Sequence, residues 1–130
     1  MEYMEKLREY FGCKQEVIMA FLFGSSAKSR MTSQSDFDIA VWLREGYSIE
    51  EINSTWRDLE SILKRNVDLI VLNQARPSIA WAAMRGKKIL VRDFRFFINK
   101  MLEVSAEAED FREFTLDFWR LRNKYKGTFK

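Results

Sequence analysis

Phe23-Gly24-Ser25-Ser26-Ala27-Lys28-Ser29-Arg30-Met31-Thr32-Ser33-Gln34-Ser35-Asp36-Phe37-Asp38 is a polar, small-residue stretch between two apolar runs. Glu16 to Phe23 reads as a buried strand that stops at Gly24-Ser25, and Phe37 to Leu43 as a second strand. Ser25–Ser35 between them reads as a loop or a short helix. Asp36 and Asp38 stand at the start of the second strand, and residues two apart in a strand point to one face. Two carboxylates held side by side repel each other unless a multivalent cation lies between them. Ligands that are all oxygen favour a hard ion such as Mg²⁺ or Mn²⁺. At the other end of the stretch, Gly24 permits a tight turn and close backbone approach, and Ser25 adds a hydroxyl beside exposed amides. A helix starting there would add its free N–H groups to a phosphate cradle. A phosphate cradle next to a metal-binding carboxylate pair is what phosphoryl or nucleotidyl transfer requires.

A third carboxylate lies farther on. Asp68 interrupts the apolar strand Asn66-Val67-Asp68-Leu69-Ile70-Val71-Leu72. A carboxylate in such a strand needs a partner or a site opening, because burying it alone is costly. If its strand neighbours the Asp36/Asp38 strand, the three carboxylates converge. Asp68 is then able to take a proton from an attacking hydroxyl.

The remaining elements place these strands in a mixed sheet. Met4, Leu7 and Phe11 predict a first helix ending at Gly12. Ser48-Ile49-Glu50-Glu51 has the form of a capping box, and Ile49, Ile52, Trp56, Leu59 and Leu63 form one apolar stripe that Asn66 closes. Pro77 and Gly86 bracket a small helix, and Lys88 to Val91 reads as a fourth strand. From Asp93 onward Phe97, Met101, Val104, Ala108, Phe111, Phe114, Phe118 and Leu121 keep helical spacing, as one long helix or two with a bend. The expectation is an α/β (α+β) domain with helices flanking the sheet: a core over residues 1–92 and a helical extension over 93–130, packed on the core or on a partner.

Composition narrows the chemistry. The chain has 130 residues, 47% of them hydrophobic, with no histidine and a single cysteine, Cys13, expected to pack as a small residue. Imidazole-based triads and zinc sites are excluded, as is an internal disulfide. The formal charge of +3 is compatible with phosphate-bearing ligands and too weak to argue for nucleic acid alone. The acidic start and the absence of a long apolar run predict a soluble, cytoplasmic protein with no secretory signal and no membrane partner. The C-terminal aromatics, among them Phe94, Phe96 and Trp119, suit either a core or an interface, including a homo-oligomeric one. Arg120, Arg122, Lys124, Lys126 and Lys130 make a basic tail, by default a solvated end.

Gly24-Ser25, ten intervening residues and Asp36-Phe37-Asp38 together resemble the GS-x10-D-x-D signature of the DNA polymerase β-like nucleotidyltransferases. The apolar flanks Phe21-Leu22-Phe23 and Ile39-Ala40-Val41 match as well, and Val67-Asp68-Leu69 some thirty residues later is similar to the minimal members. More narrowly, the chain resembles the MntA-type antitoxins of HEPN–MNT (type VII) toxin–antitoxin pairs. The likeness extends through Leu72-Asn73-Gln74-Ala75 and Gly86-Lys87-Lys88-Ile89-Leu90-Val91 into the last helix.

That resemblance implies a nucleotidyltransferase fold. It also implies Mg²⁺, as a two-ion site, on Asp36, Asp38 and Asp68, the same three residues being catalytic. Gly24, Ser25, Ser26, Lys28 and Arg30 would bind the nucleotide, although Lys28 and Arg30 read equally as solvated loop charges. The substrate implied is ATP, the partner a HEPN ribonuclease toxin, and the reaction transfer of AMP to a toxin tyrosine. The loop departs from the family where Lys28-Ser29 stands for the frequent Arg-Gly, which bears on affinity more than on the reaction. Two other functions fit the same chain. One is an antitoxin that neutralises by covering its partner; the other is an aminoglycoside-like small-molecule nucleotidyltransferase, which usually brings an extra substrate domain.

Overall fold

The first helix, α1 (Glu2–Gly12), forms where Met4, Leu7 and Phe11 recur along one face, and all three are buried. The computed structural model describes residues 2–24, 37–107 and Arg120. Strands β1 (Val17–Phe23) and β2 (Phe37–Leu43) follow, then α2 (Ile49–Leu63) and β3 (Val67–Val71). A single 3₁₀ turn, Leu72–Gln74, leads to α3 (Pro77–Met84), β4 (Lys87–Val91) and α4 (Phe94–Glu107). Among the described residues the four strands make one mixed sheet in the order β3-β2-β1-β4. β2 and β3 run parallel, joined through α2, and the other two pairings are antiparallel. The expected mixed sheet with flanking helices is what forms.

Both faces of the sheet are covered, which is why its strands are nearly continuous apolar runs rather than alternating ones. Phe37, Ile39, Val41, Val67 and Leu69 pack with Met4, Leu7 and Phe11 of α1 and Leu59 of α2. Met19, Phe21 and Ala40 pack on the opposite side with Trp81 and Met84 of α3 and Phe97, Met101 and Val104 of α4. The aromatic start of α4 thus belongs to the core: Phe97 stacks on Phe21 with ring centroids 5.6 Å apart, and Trp42 meets Phe96 edge-on at the same distance. Among the described residues no helix is long and apolar enough to cross a membrane.

Three local expectations are corrected. The helix α2 does not run to Asn66. It ends at Leu63, and Lys64 adopts the left-handed conformation (φ 56°) and donates its N–H to the Glu60 carbonyl at 2.8 Å. That frees Asn66 to accept from the Phe37 N–H at 3.1 Å and so open the β2–β3 ladder. The capping box forms only halfway: Ser48 Oγ accepts from the Glu51 N–H at 3.1 Å, but the Glu51 carboxylate takes the serine hydroxyl at 3.3 Å. Cys13 is exposed, because it lies just past the end of α1 where the apolar stripe has stopped. Residues 25–36 and the aromatic and basic residues of 108–119 and 121–130 lie outside the described residues.

Candidate functional site

The site is built where three strands end together. In the parallel pair, Asp38 and Asp68 are direct register partners, each the second residue of its strand. Asp38 shares its face of β2 with Ala40 and Trp42, and Asp68 shares its face of β3 with Ile70. Both strand faces pack on the α3–α4 side, so the two carboxylates emerge on that side at one end of the sheet. Asp38 is half-buried and Asp68 exposed. The charge in the apolar strand β3 is tolerated because it sits at the strand's start, at an opening rather than in the core.

The third strand arrives antiparallel, with Phe23 of β1 opposite Asp38. Gly24 follows with φ +72°, a conformation that disfavours any residue with a side chain. A Cβ at Gly24 would land on the Asp38 carboxylate. The bare backbone at the end of β1 therefore lies directly against one of the two acids.

A second glycine makes this possible from the other side. A Cβ at Gly86, just before β4, would strike the Leu22 carbonyl and come within 2.8 Å of Phe23 Cβ. Gly86 is more than the full stop after α3 that its position suggests; it lets the α3–β4 turn close onto the end of β1.

Of the expected site residues, the structure brings together Gly24, Asp38 and Asp68. Asp36, Ser25, Ser26, Lys28 and Arg30 lie outside the described residues. Among the described residues no group of three or more Asp, Glu, Cys or His converges. The donor chemistry fits a hard divalent ion: two carboxylates abreast, oxygen only, with a glycine backbone closing one flank.

One contact escaped the helical pattern. Trp56 falls on the apolar stripe of α2, yet it is 37% exposed and its indole N–H donates to the Val67 carbonyl at 2.5 Å. Glu60, one turn later, accepts from the Val67 N–H at 3.1 Å. The legible signal was the indole N–H itself, a donor that seeks a partner when partly buried.

Comparison with known proteins gives the family and the fold. The family described as "Polymerase beta, Nucleotidyltransferase" matches residues 5–95. A candidate protein adenylyltransferase of Methanocaldococcus jannaschii is 34% identical over 64 residues, 49% of this chain and 69% of that protein. A crystal structure of a toxin–antitoxin with AMP-PNP shares the fold with a TM-score of 0.66 at 17% identity, over 98% of this chain and 93% of that one. The tri-AMPylated Shewanella oneidensis HEPN toxin in complex with MNT antitoxin gives a TM-score of 0.61 at 14% identity, over 96% and 94% of the two chains. With the family matched across most of its length and two carboxylates abreast beside a left-handed glycine, the chain belongs to the polymerase β nucleotidyltransferase family.

Proposed function

We propose that this nucleotidyltransferase is the antitoxin of a HEPN–MNT pair, acts in the cytoplasm, and transfers AMP from ATP to a tyrosine of its HEPN toxin. The observation that carries the reading is the lateral pairing of Asp38 with Asp68, with Gly24 closed against Asp38. The toxin–antitoxin neighbours support the choice of acceptor, one carrying AMP-PNP and another an AMPylated HEPN toxin.

Asp36, Asp38 and Asp68 would hold Mg²⁺, as two ions. Bound there, Mg²⁺ supplies neutralisation of the triphosphate charge and a Lewis-acid hold on the reacting oxygens. The rest falls to the chain. Gly24 brings backbone amides close to the phosphates, Ser25 and Ser26 add hydroxyl donors, and Lys28 and Arg30 add cations along the triphosphate. The tyrosine oxygen attacks the α-phosphorus, its bond to that phosphorus forms as the bond to pyrophosphate breaks, and pyrophosphate leaves. Asp68, exposed at the rim, would receive the hydroxyl proton. Residues 1–92 form the catalytic core, and 93–130 a helical extension that packs on the core or the partner.

The test uses the full chain with its HEPN toxin, ATP and Mg²⁺, followed by mass spectrometry of the toxin and a ribonuclease assay. The expected result is AMP on a toxin tyrosine and loss of ribonuclease activity, both absent with Asp38→Ala/Asp68→Ala. Neutralisation by the double variant at wild-type potency would overturn the transfer reading and leave an antitoxin that acts by covering its partner.

A further inference from the structure

Among the described residues β3 is an edge strand, with no neighbouring strand on its outer side to pair with its outward N–H and C=O groups. At Val67 the helix α2 takes the place of that strand. The Trp56 indole donates to the Val67 carbonyl at 2.5 Å and Glu60 Oε2 accepts from the Val67 N–H at 3.1 Å. Residues four apart on a helix share a face, so one donor and one acceptor reach the same residue, as a paired strand would offer them. On the inner side, Asn66 is held by the Phe37 N–H at 3.1 Å, and the Val67 side chain is buried. The backbone immediately before Asp68 is thus tied on the outer side, the inner side and into the core.

We infer that Trp56 and Glu60 are positioning residues for Asp68: by gripping both polar groups of Val67 they hold the Asp68 carboxylate in register with Asp38. The inference rests on the proposed role of Asp68 as a metal ligand. Asp68 is exposed and lies on the outermost strand, so side-chain packing does little to fix it and its backbone must do so. The pair is also selective in its chemistry. Phenylalanine at 56 keeps most of the ring and loses the donor, glutamine at 60 keeps an acceptor oxygen, and leucine at 60 loses it.

The experiment measures Mn²⁺ affinity of the full-length protein by electron paramagnetic resonance of the free ion, below the melting temperature of each variant. Trp56→Phe and Glu60→Leu are expected to weaken Mn²⁺ binding on the order of tenfold, the lower range for groups that orient a metal ligand. Glu60→Gln is expected to stay near wild type. Leu59→Ala, which opens the core that Val67 shares beneath α2 but leaves the Trp56 and Glu60 hydrogen bonds to Val67 in place, is expected to lower the melting temperature and keep the affinity. The inference is overturned if Trp56→Phe and Glu60→Leu bind like wild type while Asp68→Ala does not, or if Leu59→Ala weakens binding as much as they do. Should Asp68→Ala itself bind like wild type, the ligand role of Asp68 fails, and the positioning role with it.

Discussion

Gly24 has φ +72° and no side chain, and each property serves the site separately. The positive φ turns the chain off the end of β1, and the missing Cβ leaves room for the Asp38 carboxylate. Gly24→Ala would add strain to the turn and push that carboxylate aside. A misplacement near 1 Å costs about a hundredfold in rate. Gly24→Ala is therefore expected to lose about that much transfer activity while its circular dichroism stays native, since the substitution lies beyond the last residue of the strand. At this scale the sequence was legible wherever spacing alone decided the matter. Asp38 was read from its distance to Gly24-Ser25, and Asp68 from a charge in an apolar run. The exposure of Asp68 was not readable, because a run of apolar letters does not say which end of a strand opens to solvent.

Elements are joined by contacts that leave no local trace. Arg92, the residue after β4, donates its own N–H to the Ile18 carbonyl at 3.0 Å. Its guanidinium donates to the carbonyls of Phe11 at 2.7 Å, Val17 at 2.8 Å, Lys14 at 3.0 Å and Gly12 at 3.3 Å. A cation is thereby placed at the carbonyl end of α1, where the helix dipole favours it, and α1 is tied to the sheet edge. Arg92→Met keeps the aliphatic stem and removes the donors. The expected loss is about 2–3 kcal/mol of unfolding free energy, read from urea midpoints, with most of it from charged hydrogen bonds to carbonyls that become unpaired. Contacts spanning 75 to 81 residues have no periodic signature, so Arg92 carried no message in the sequence. The helix α2 shows the same limit in miniature. Its start was legible from Ser48 and Glu51, but its end was not, because a lysine rather than a glycine took the left-handed cap.

In the whole molecule, the sheet is sandwiched between α1 with α2 on one face and α3 with α4 on the other. Alternating strands and helices announced that architecture. The strand order did not follow from it, since nothing local tells β4 to join β1 rather than β3. The α1–α2 layer also carries a pH dependence. The Tyr10 hydroxyl, between those helices, donates to Asp58 Oδ2 at 2.7 Å. Burial raises its pKa above the ordinary tyrosine range, and the hydrogen bond to Asp58 and that carboxylate's charge push it the same way. Folding thus favours the protonated phenol. Its contribution is fully present below about pH 10, the unfolded value, and is lost as the pH rises beyond it. The stability gap between wild type and Tyr10→Phe, measured by urea unfolding, is expected to be constant from pH 7 to about 9 and to narrow above pH 10.

All three scales meet at the end of the sheet where Gly24, Asp38 and Asp68 stand together. The most direct measurement there is transfer from ATP labelled separately at the α- and γ-phosphorus, with Mg²⁺ and the HEPN toxin, by wild type, Asp38→Asn and Asp68→Asn. The α-label is expected to reach the toxin and the γ-label to leave as pyrophosphate. Either substitution is expected to slow labelling on the order of a thousandfold. Toxin labelled from the γ-position, or wild-type rates from both variants, would contradict AMP transfer at this site.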